Sequence, residues 1–390
     1  MHRRSVLALS AFALGLVAMG ASANAADPVR IGFSIAQTGL FAQAAPSQMT
    51  AYELWRDEVN AAGGLDVAGD KRPVEFVWYD DESNPTKAAQ IYEKLITDDK
   101  VDLLLAPWGT PTHLAVAGIV EKYGFPMVGN TAASVAIREV QPGNIWFPTS
   151  AIPDRIGPEL AALAKQAGVT KAAVIANVLP FSQENLQYLL PALEAQGIAV
   201  AVNESYPPDI ADMSAILAKI KDSGAHGVIA LSYPADSFLY MGQAKEIGIA
   251  APFQFLLVGP TIAAFADAFG DFANGVVTIG HWSPHQTAWA KAKPFHDAYV
   301  ARYGAKPDYL DTALAYMSCE ILAQAVAKAG LDKDALREAI ASVEFDTING
   351  PVRFSGVENA VTPTAFLQLQ GGEMHLIWPK EIATSAYQPR

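Results

Sequence analysis

The stretch Leu103-Leu-Leu-Ala-Pro-Trp-Gly-Thr-Pro-Thr-His-Leu-Ala-Val-Ala117 changes character in its middle. Its first residues form a short apolar run that ends at Pro and Gly, a pattern typical of a core strand. Thr110 is then predicted to be a helix N-cap and Pro111 the first helical residue. A strand therefore leads directly into a helix whose first N–H groups, beside the Trp108 indole and two hydroxyls, favour an anion.

The same alternation of strand and helix runs outward from this stretch. The chain of 390 residues is long enough for two or three domains. Strands alternating with helices at this pitch predict an α/β fold of two doubly wound, parallel-sheet lobes. The first series has strands at 29–35, at 74–80, beginning at 103 and at 125–129, and helices at 51–64, 88–97 and from 112 onward. The second has helices at 156–167, 184–196, 213–223 and 237–247 and strands at 172–176, 198–202, 227–231 and 253–258, followed by a strand at 275–279, helices at 288–303, 312–329 and 333–342, and a β segment from 352.

The order of elements also predicts where a ligand binds. In open α/β sheets, ligands lie beyond the carboxyl ends of the strands. Two lobes that face each other therefore form a cleft, lined by the loops at 37–46, 108–112, 130–134, 177–182, 232–236 and 259–261. Four aromatic residues fall on these loops and are candidate ligand contacts, although each alone fits core packing equally well: Phe41, Trp108, Phe181 and Tyr233.

The N-terminal 26 residues have the features of a cleaved signal peptide. Arg3 and Arg4 precede an apolar stretch at 6–19, and Ala23-Asn24-Ala25 matches an A-x-A cleavage site. The apolar stretch is shorter than the roughly 20 residues that span a bilayer, so a membrane anchor is the weaker alternative. We therefore expect an exported, periplasmic protein, with Sec and twin-arginine export left open.

Composition excludes several classes of function. Removal of the leader takes away two arginines, which changes the formal charge from -13 to -15 and disfavours nucleic acid as a partner. Cys319 lies among apolar residues at helical spacing and is expected to be buried and inert. His281 and His285 lack a third metal ligand, and His113 is expected to be solvated. No nucleotide-binding, hydrolase or zinc motif occurs, so we expect no enzyme activity, metal or cofactor.

Five segments resemble the periplasmic leucine/isoleucine/valine-binding proteins of ABC uptake systems, in order and along the whole mature chain. They are Ile31-Gly-Phe-Ser-Ile-Ala-Gln-Thr-Gly39, Asp57-Glu-Val-Asn-Ala-Ala-Gly-Gly-Leu65, Tyr79-Asp-Asp with Asn84-Pro-Thr-Lys-Ala-Ala89, Phe125-Pro-Met-Val128 and Gln243-Ala-Lys-Glu-Ile-Gly248. The resemblance implies a type I periplasmic-binding fold whose lobes are joined by three crossings and close by hinge motion. It implies a first lobe of residues 27–147 plus 281–350 and a second of residues 148–280 plus 351–390.

The resemblance also assigns roles in the cleft. It implies that Trp108, Gly109, Thr110 and Thr112 hold the ligand carboxylate. The second carboxylate contact of the family falls at Ala133, with Thr131 or Ser134 as substitute hydroxyls, and Phe181 and Tyr233 flank the ligand. The acid that receives the ligand ammonium in the family falls at Thr261, which questions an α-amino-acid ligand because a buried ammonium without a carboxylate is costly. Asp236 is a candidate substitute.

The leading hypothesis is a monomeric periplasmic solute-binding protein that delivers a small apolar or aromatic carboxylate to an inner-membrane ABC permease. An amino acid of the branched-chain type is the default ligand, and a keto or aromatic acid is the alternative. A ligand-sensing receptor module is the alternative class of function, because similar bilobed modules serve as receptor ectodomains.

Overall fold

A computed structural model describes residues 27–140, 143–249 and 251–390, so the predicted signal peptide lies outside the described residues. The first half of the chain forms a five-stranded parallel sheet in the order β4-β1-β5-β6-β7. Its strands are β1 (Val29–Ile35), β4 (Val74–Asp80), β5 (Leu103–Leu105), β6 (Met127–Val128) and β7 (Ile145–Trp146), and β2 (Leu65–Val67) with β3 (Asp70–Arg72) makes a separate hairpin. The helices between them are α1 (Ala45–Ala61), α2 (Pro85–Thr97), α3 (Thr110–Tyr123) and α4 (Ala136–Val140).

The second sheet has seven strands and repeats the strand order of the first. Five parallel strands run in the order β9-β8-β10-β11-β12, and the antiparallel pair β17 and β18 extends the sheet beyond β12. The strands are β8 (Lys171–Asn177), β9 (Ala199–Tyr206), β10 (Gly227–Leu231), β11 (Phe253–Leu256), β12 (Val276–Ile279), β17 (Phe366–Gln370) and β18 (Glu373–Trp378). The helices are α5 (Pro153–Gln166), α6 (Pro180–Ala195), α7 (Ser214–Ser223), α8 (Pro234–Ile247) and α9 (Ala263–Phe269), followed by a 3-10 turn at Gly270–Ala273.

Three later helices return to the first sheet. They are α10 (Ala292–Tyr303), α11 (Asp311–Ala329) and α12 (Lys333–Ser342), and α11 packs on α1 and β6. Two short hairpins follow, formed by β13 (Phe345–Thr347) with β14 (Gly350–Val352) and by β15 (Phe354–Ser355) with β16 (Glu358–Asn359).

The central strands are buried along their whole length and mostly apolar, because helices cover both faces of each sheet. All five residues of β10 and all four of β11 are buried. A parallel sheet that is covered on both sides has this continuous apolar pattern rather than an alternating one. The predicted α/β fold of two doubly wound lobes is therefore confirmed, with the added antiparallel pair at one edge.

The chain crosses between the sheets at three places, and the third lies later than predicted. Glu358 forms a parallel bridge with Phe147, and the Phe147 N–H donates to Val357 O at 2.8 Å. The segment after 350 therefore continues along the edge of the first sheet. We place the third crossing between Asn359 and Phe366, because Phe366 is the first residue to join the second sheet. No helix of the described residues is long and apolar enough to cross a membrane.

Candidate functional site

A cavity lies between the two sheets at the carboxyl ends of their strands. It holds about 430 Å³ of space between atoms, a volume that includes the open solvent at its mouth. Most of its wall is apolar. The lining residues are Trp108, Gly109, Thr110, Thr131, Ala132, Ala133, Thr149, Ala151, Phe181, Tyr233, Val258, Ile279, Leu310, Asp311 and Leu314.

The start of α3 forms one end of this cavity. Gly109 is the N-cap and has φ 83°, a left-handed conformation that glycine adopts without steric cost. Thr110 is the first helical residue, so the prediction that Thr110 is the N-cap was wrong by one position. Thr112 donates its hydroxyl to Gly109 O at 2.8 Å and also to Trp108 O, which fixes the turn. The first N–H groups of the helix have no intrahelical acceptor and are available to an anion.

The loop after β6 faces this helix start. The Thr110 hydroxyl donates to Ala133 O at 3.3 Å and accepts the Ala133 N–H at 3.2 Å. Thr131 accepts the Gly109 N–H at 2.8 Å and donates its hydroxyl to Asn130 at 3.1 Å. These polar groups bond to one another across the cavity end.

Buried polar residues behind the two loops hold them in place. His113 Nδ1 lies 2.8 Å from Gly109 O, and its Nε2 accepts the Asn130 N–H at 3.4 Å. Asn130 donates to the Tyr52 hydroxyl at 2.6 Å, and Tyr52 donates to Ala106 O at 3.0 Å. The expectation of a solvated His113 was wrong: the ring is 1% exposed, and burial lowers its pKa to about 4. His113 is thus a neutral link between the ends of β5 and β6.

Aromatic rings from both halves of the chain meet at the cavity. Phe41 and Trp108 have ring centroids 4.8 Å apart, and Tyr233 lies 5.9 Å from Phe41 and 6.5 Å from Trp108. Phe41 packs behind this wall, whereas Phe181 joins Tyr233 in lining the cavity. Because Tyr233 follows β10 and Trp108 follows β5, this contact joins the two lobes and gives the structure a closed cleft.

The acidic group nearest to the ligand space is one that the sequence did not reveal. Asp311 begins α11, lines the cavity and accepts the Trp108 indole N–H at 2.9 Å. Burial and the adjacent Asp308 raise the pKa of Asp311 well above its usual range. Asp308 accepts the hydroxyl of Thr261 at 3.2 Å, so Thr261 serves a contact between the lobes and does not line the cavity.

Three further candidate residues, Asp236, Ser134 and Thr112, do not line the cavity. The hydrogen-bonding capacity of Asp236 is used within its own lobe, because the carboxylate accepts from the Tyr233 N–H, the Tyr206 hydroxyl and the Asn177 amide. Ser134 donates its hydroxyl to Glu184 at 2.7 Å and does not line the cavity. Thr112 is likewise directed to the backbone, as described above.

Of the ten residues predicted for the site, the structure brings seven to one cavity, and ligand contact by these seven stays a prediction: Trp108, Gly109, Thr110, Thr131, Ala133, Phe181 and Tyr233. The residues that sequence reasoning missed are Thr149, Ala151 and Ile279 on the crossings, Val258 after β11, and Leu310, Asp311 and Leu314 at the start of α11. None of them lies in a loop that the sequence predicted to follow a strand. An acid in the first turn of a helix, such as Asp311, is common because it stabilises the helix dipole, so it does not by itself indicate a binding site. Within the described ranges, no cluster of three or more His, Cys, Asp or Glu residues is arranged to hold a metal ion.

Comparisons with known proteins agree with this architecture. The chain matches the family model of the periplasmic binding proteins over residues 28–373. A leucine-, isoleucine-, valine-, threonine- and alanine-binding protein of Pseudomonas aeruginosa is 25% identical over 350 residues, which cover 88% of this chain and 90% of that relative.

Solved structures extend the comparison to the fold. The substrate-binding protein of a branched-chain amino acid transporter from Streptococcus pneumoniae, in complex with isoleucine, has a TM-score of 0.79 at 22% identity and covers 89% of this chain and 98% of its own. A solute-binding protein of an ABC transporter from R. palustris, in complex with benzoate, has a TM-score of 0.78 at 20% identity, with coverages of 93% and 97%. At these identities the likeness concerns the fold.

Proposed function

The chain belongs to the periplasmic binding protein family, and on that premise we propose that it is the solute-binding component of an ABC uptake system. Its ligand is a small carboxylate with an apolar body, by default an amino acid of the branched-chain type. A keto or aromatic acid is the second candidate ligand class. The protein captures this ligand in the periplasm as a monomer and passes it to an inner-membrane permease, without making or breaking a bond.

The observation that carries the proposal is the pair of loops at one end of the cavity. A helix start at Thr110 and the Thr131 to Ala133 loop present N–H and hydroxyl groups to the same space. Such groups stabilise a negative charge, because backbone donors and the helix dipole act together. The lining residues include no Lys, Arg or His, so a bound anion is held by neutral donors alone.

The remainder of the wall favours an apolar body. Val258, Ile279, Leu310 and Leu314 surround the cavity with Ala151, and the rings of Phe181 and Tyr233 close it from the second lobe. Transfer of an aliphatic or aromatic side chain from water into such a wall is worth about 25 cal/mol per Å² buried. Closure of the lobes therefore removes the apolar part of the ligand from water while the donors hold its charge.

A binding experiment on Thr110 tests the proposal. A thermal-shift screen of the mature protein against leucine, valine, phenylalanine, their α-keto acids and simple aromatic carboxylates first identifies a ligand. Thr110→Val keeps the shape of the side chain and removes its hydroxyl. We expect the Kd measured by calorimetry to rise by about 10- to 150-fold, since a hydrogen bond to a charged group is worth about 1.5 to 3 kcal/mol.

The matched control is Thr97→Val at the exposed end of α2, where the hydroxyl contacts only Glu93 O and a neighbouring side chain. This variant should bind as tightly as the wild type. If Thr110→Val also binds as tightly, the carboxylate is not held at the start of α3. Turnover of the ligand by the purified protein would contradict the absence of enzyme activity.

A further inference from the structure

One carboxyl oxygen in the cavity wall has no partner within the protein. Asp311 is 3% exposed, and its Oδ2 accepts the Trp108 indole N–H at 2.9 Å. Its Oδ1 has no hydrogen-bond partner among the residues that the structure describes. Because Asp311 lines the cavity, an occupant that supplies a donor to Asp311 Oδ1 gains a hydrogen bond to this carboxyl group.

A second carboxyl group behind Asp311 decides which kind of donor suits it. Asp308 Oδ1 accepts the N–H groups of Leu310 and Asp311, both at 2.7 Å, and its Oδ2 accepts the Thr261 hydroxyl. The carboxyl oxygens of Asp308 are thus satisfied by donors within the protein. Burial raises the pKa of both carboxyl groups, and the nearby Asp308 adds to the rise at Asp311, so an ionised Asp311 needs a positive charge beside it. The cavity wall has no basic residue, and that charge must come from the ligand.

We propose that Asp311 receives the ammonium group of an α-amino acid, which makes a zwitterion the ligand of this cavity. The inference rests on the proposed function, because it takes the ligand carboxylate to lie at Thr110. A zwitterion is neutral overall and adds no net charge to the site. A keto or aromatic acid adds one negative charge to a cavity that already contains Asp311, which is unfavourable unless the carboxyl group stays protonated.

The contact between Thr261 and Asp308 explains why the acid lies on another element. Thr261 follows β11 in the second lobe, at the position where the resemblance places the ammonium-binding acid, and its hydroxyl is used for Asp308 of the first lobe. With Asp311 as the acceptor, both charged ends of the ligand bind to the first lobe. The second lobe then contributes the Phe181 and Tyr233 rings when the cleft closes.

The test is a thermodynamic cycle that removes the amino group from the ligand, the carboxylate from Asp311, or both. Affinities are measured by calorimetry for leucine, valine and phenylalanine, each beside the acid of the same skeleton without the amino group: 4-methylpentanoate, 3-methylbutanoate and 3-phenylpropanoate. The wild type should bind at least one amino acid about 100-fold or more tightly than its deaminated partner. Asp311→Asn should weaken that amino acid by about 100- to 1,000-fold, because one member of a buried ion pair is removed, and should change the deaminated acid by less than tenfold.

Asp236→Asn is the matched control, since Asp236 is equally buried, has three donors of its own and does not line the cavity. It should keep the wild-type preference for the amino group. If Asp311→Asn does not fold, a crystal structure of the wild type with its tightest amino acid decides the assignment. The ammonium nitrogen must then lie within about 3.2 Å of Asp311 Oδ1.

The outcomes separate this inference from the function on which it rests. If no amino acid, α-keto acid, deaminated acid or simple aromatic carboxylate binds, the proposed function is wrong. If carboxylates bind but the deaminated acids bind as tightly as the amino acids, the function stands and the Asp311 assignment is overturned. The assignment is equally overturned if Asp236→Asn, and not Asp311→Asn, removes the preference.

Discussion

Glu184 makes a contact across the closed cleft that we expect to control ligand affinity without touching the ligand. It lies on α6 of the second lobe. Its Oε1 accepts the Ser134 hydroxyl at 2.7 Å and its Oε2 accepts the Val135 N–H at 3.2 Å, both from the first lobe. Opening of the hinge separates these groups, so Glu184 stabilises the closed form alone.

The size of the effect follows from these two bonds. Hydrogen bonds to a charged acceptor are worth about 1.5 to 3 kcal/mol when buried. Glu184 is half-buried and the second bond is long, so we take the lower figure, about 1.5 kcal/mol, for both bonds together. Glu184→Ala should therefore raise the Kd about tenfold, mostly through faster release, because the closed form loses that free energy and the open form does not.

The assay is calorimetry for the Kd and stopped-flow fluorescence for the release rate. Glu194→Ala is the matched control, since Glu194 lies on the same helix, is exposed and contacts neither loop of the first lobe. The free energy of unfolding should change equally in both variants. An unchanged Kd and release rate for Glu184→Ala would show that the contact survives opening or that closure does not limit release.

Three further predictions concern stability and reactivity. Gly157→Ala should lower the free energy of unfolding in urea by about 1 to 3 kcal/mol, because the added Cβ would lie 2.7 Å from the Tyr188 backbone where α5 meets α6. Gly242→Ala has open space at its Cβ and should raise the free energy of unfolding by up to about 1 kcal/mol. Equal changes in the two variants would contradict the close approach of α5 and α6. Burial lowers the pKa of His113 to about 4, so between about pH 6.5 and 4 the unfolded chain binds a proton there that the folded chain does not. As the pH is lowered through this range, the free energy of unfolding should decrease by about 1.4 kcal/mol per pH unit. His113→Gln should reduce this dependence in urea titrations, and an unchanged dependence would show that His113 is protonated in the folded protein. Cys319 is buried, and burial raises its pKa well above the usual range, so a thiol reagent should label it only in denaturant, and rapid labelling of the native protein would contradict its burial.

Much of the candidate site was predictable because the carboxyl ends of parallel strands meet at one edge of a sheet. The loops after β5, β6 and β10 were recognisable from apolar runs ended by turn residues, and the structure brings Trp108, Thr131 and Tyr233 from them to one cavity. The error at Thr110 was local: threonine and glycine are both good N-caps, and the left-handed backbone at Gly109 decided between them.

The sequence by itself determined the alternation of strands and helices and the two-lobed α/β fold, because hydrophobic periodicity and turn residues are local signals. Only the tertiary structure decided which polar groups share the cavity. Asp236 and Asp311 look alike as acids in the first turn of a helix. Asp236 accepts hydrogen bonds from donors of its own lobe, whereas Asp311 accepts one from Trp108 and, among the described residues, keeps its Oδ1 free to accept a donor from the cavity. That difference depends on residues distant along the chain, such as Trp108 and Asp311, which are brought together by the packing of α11 against the first sheet. Sequence spacing carries no record of such contacts.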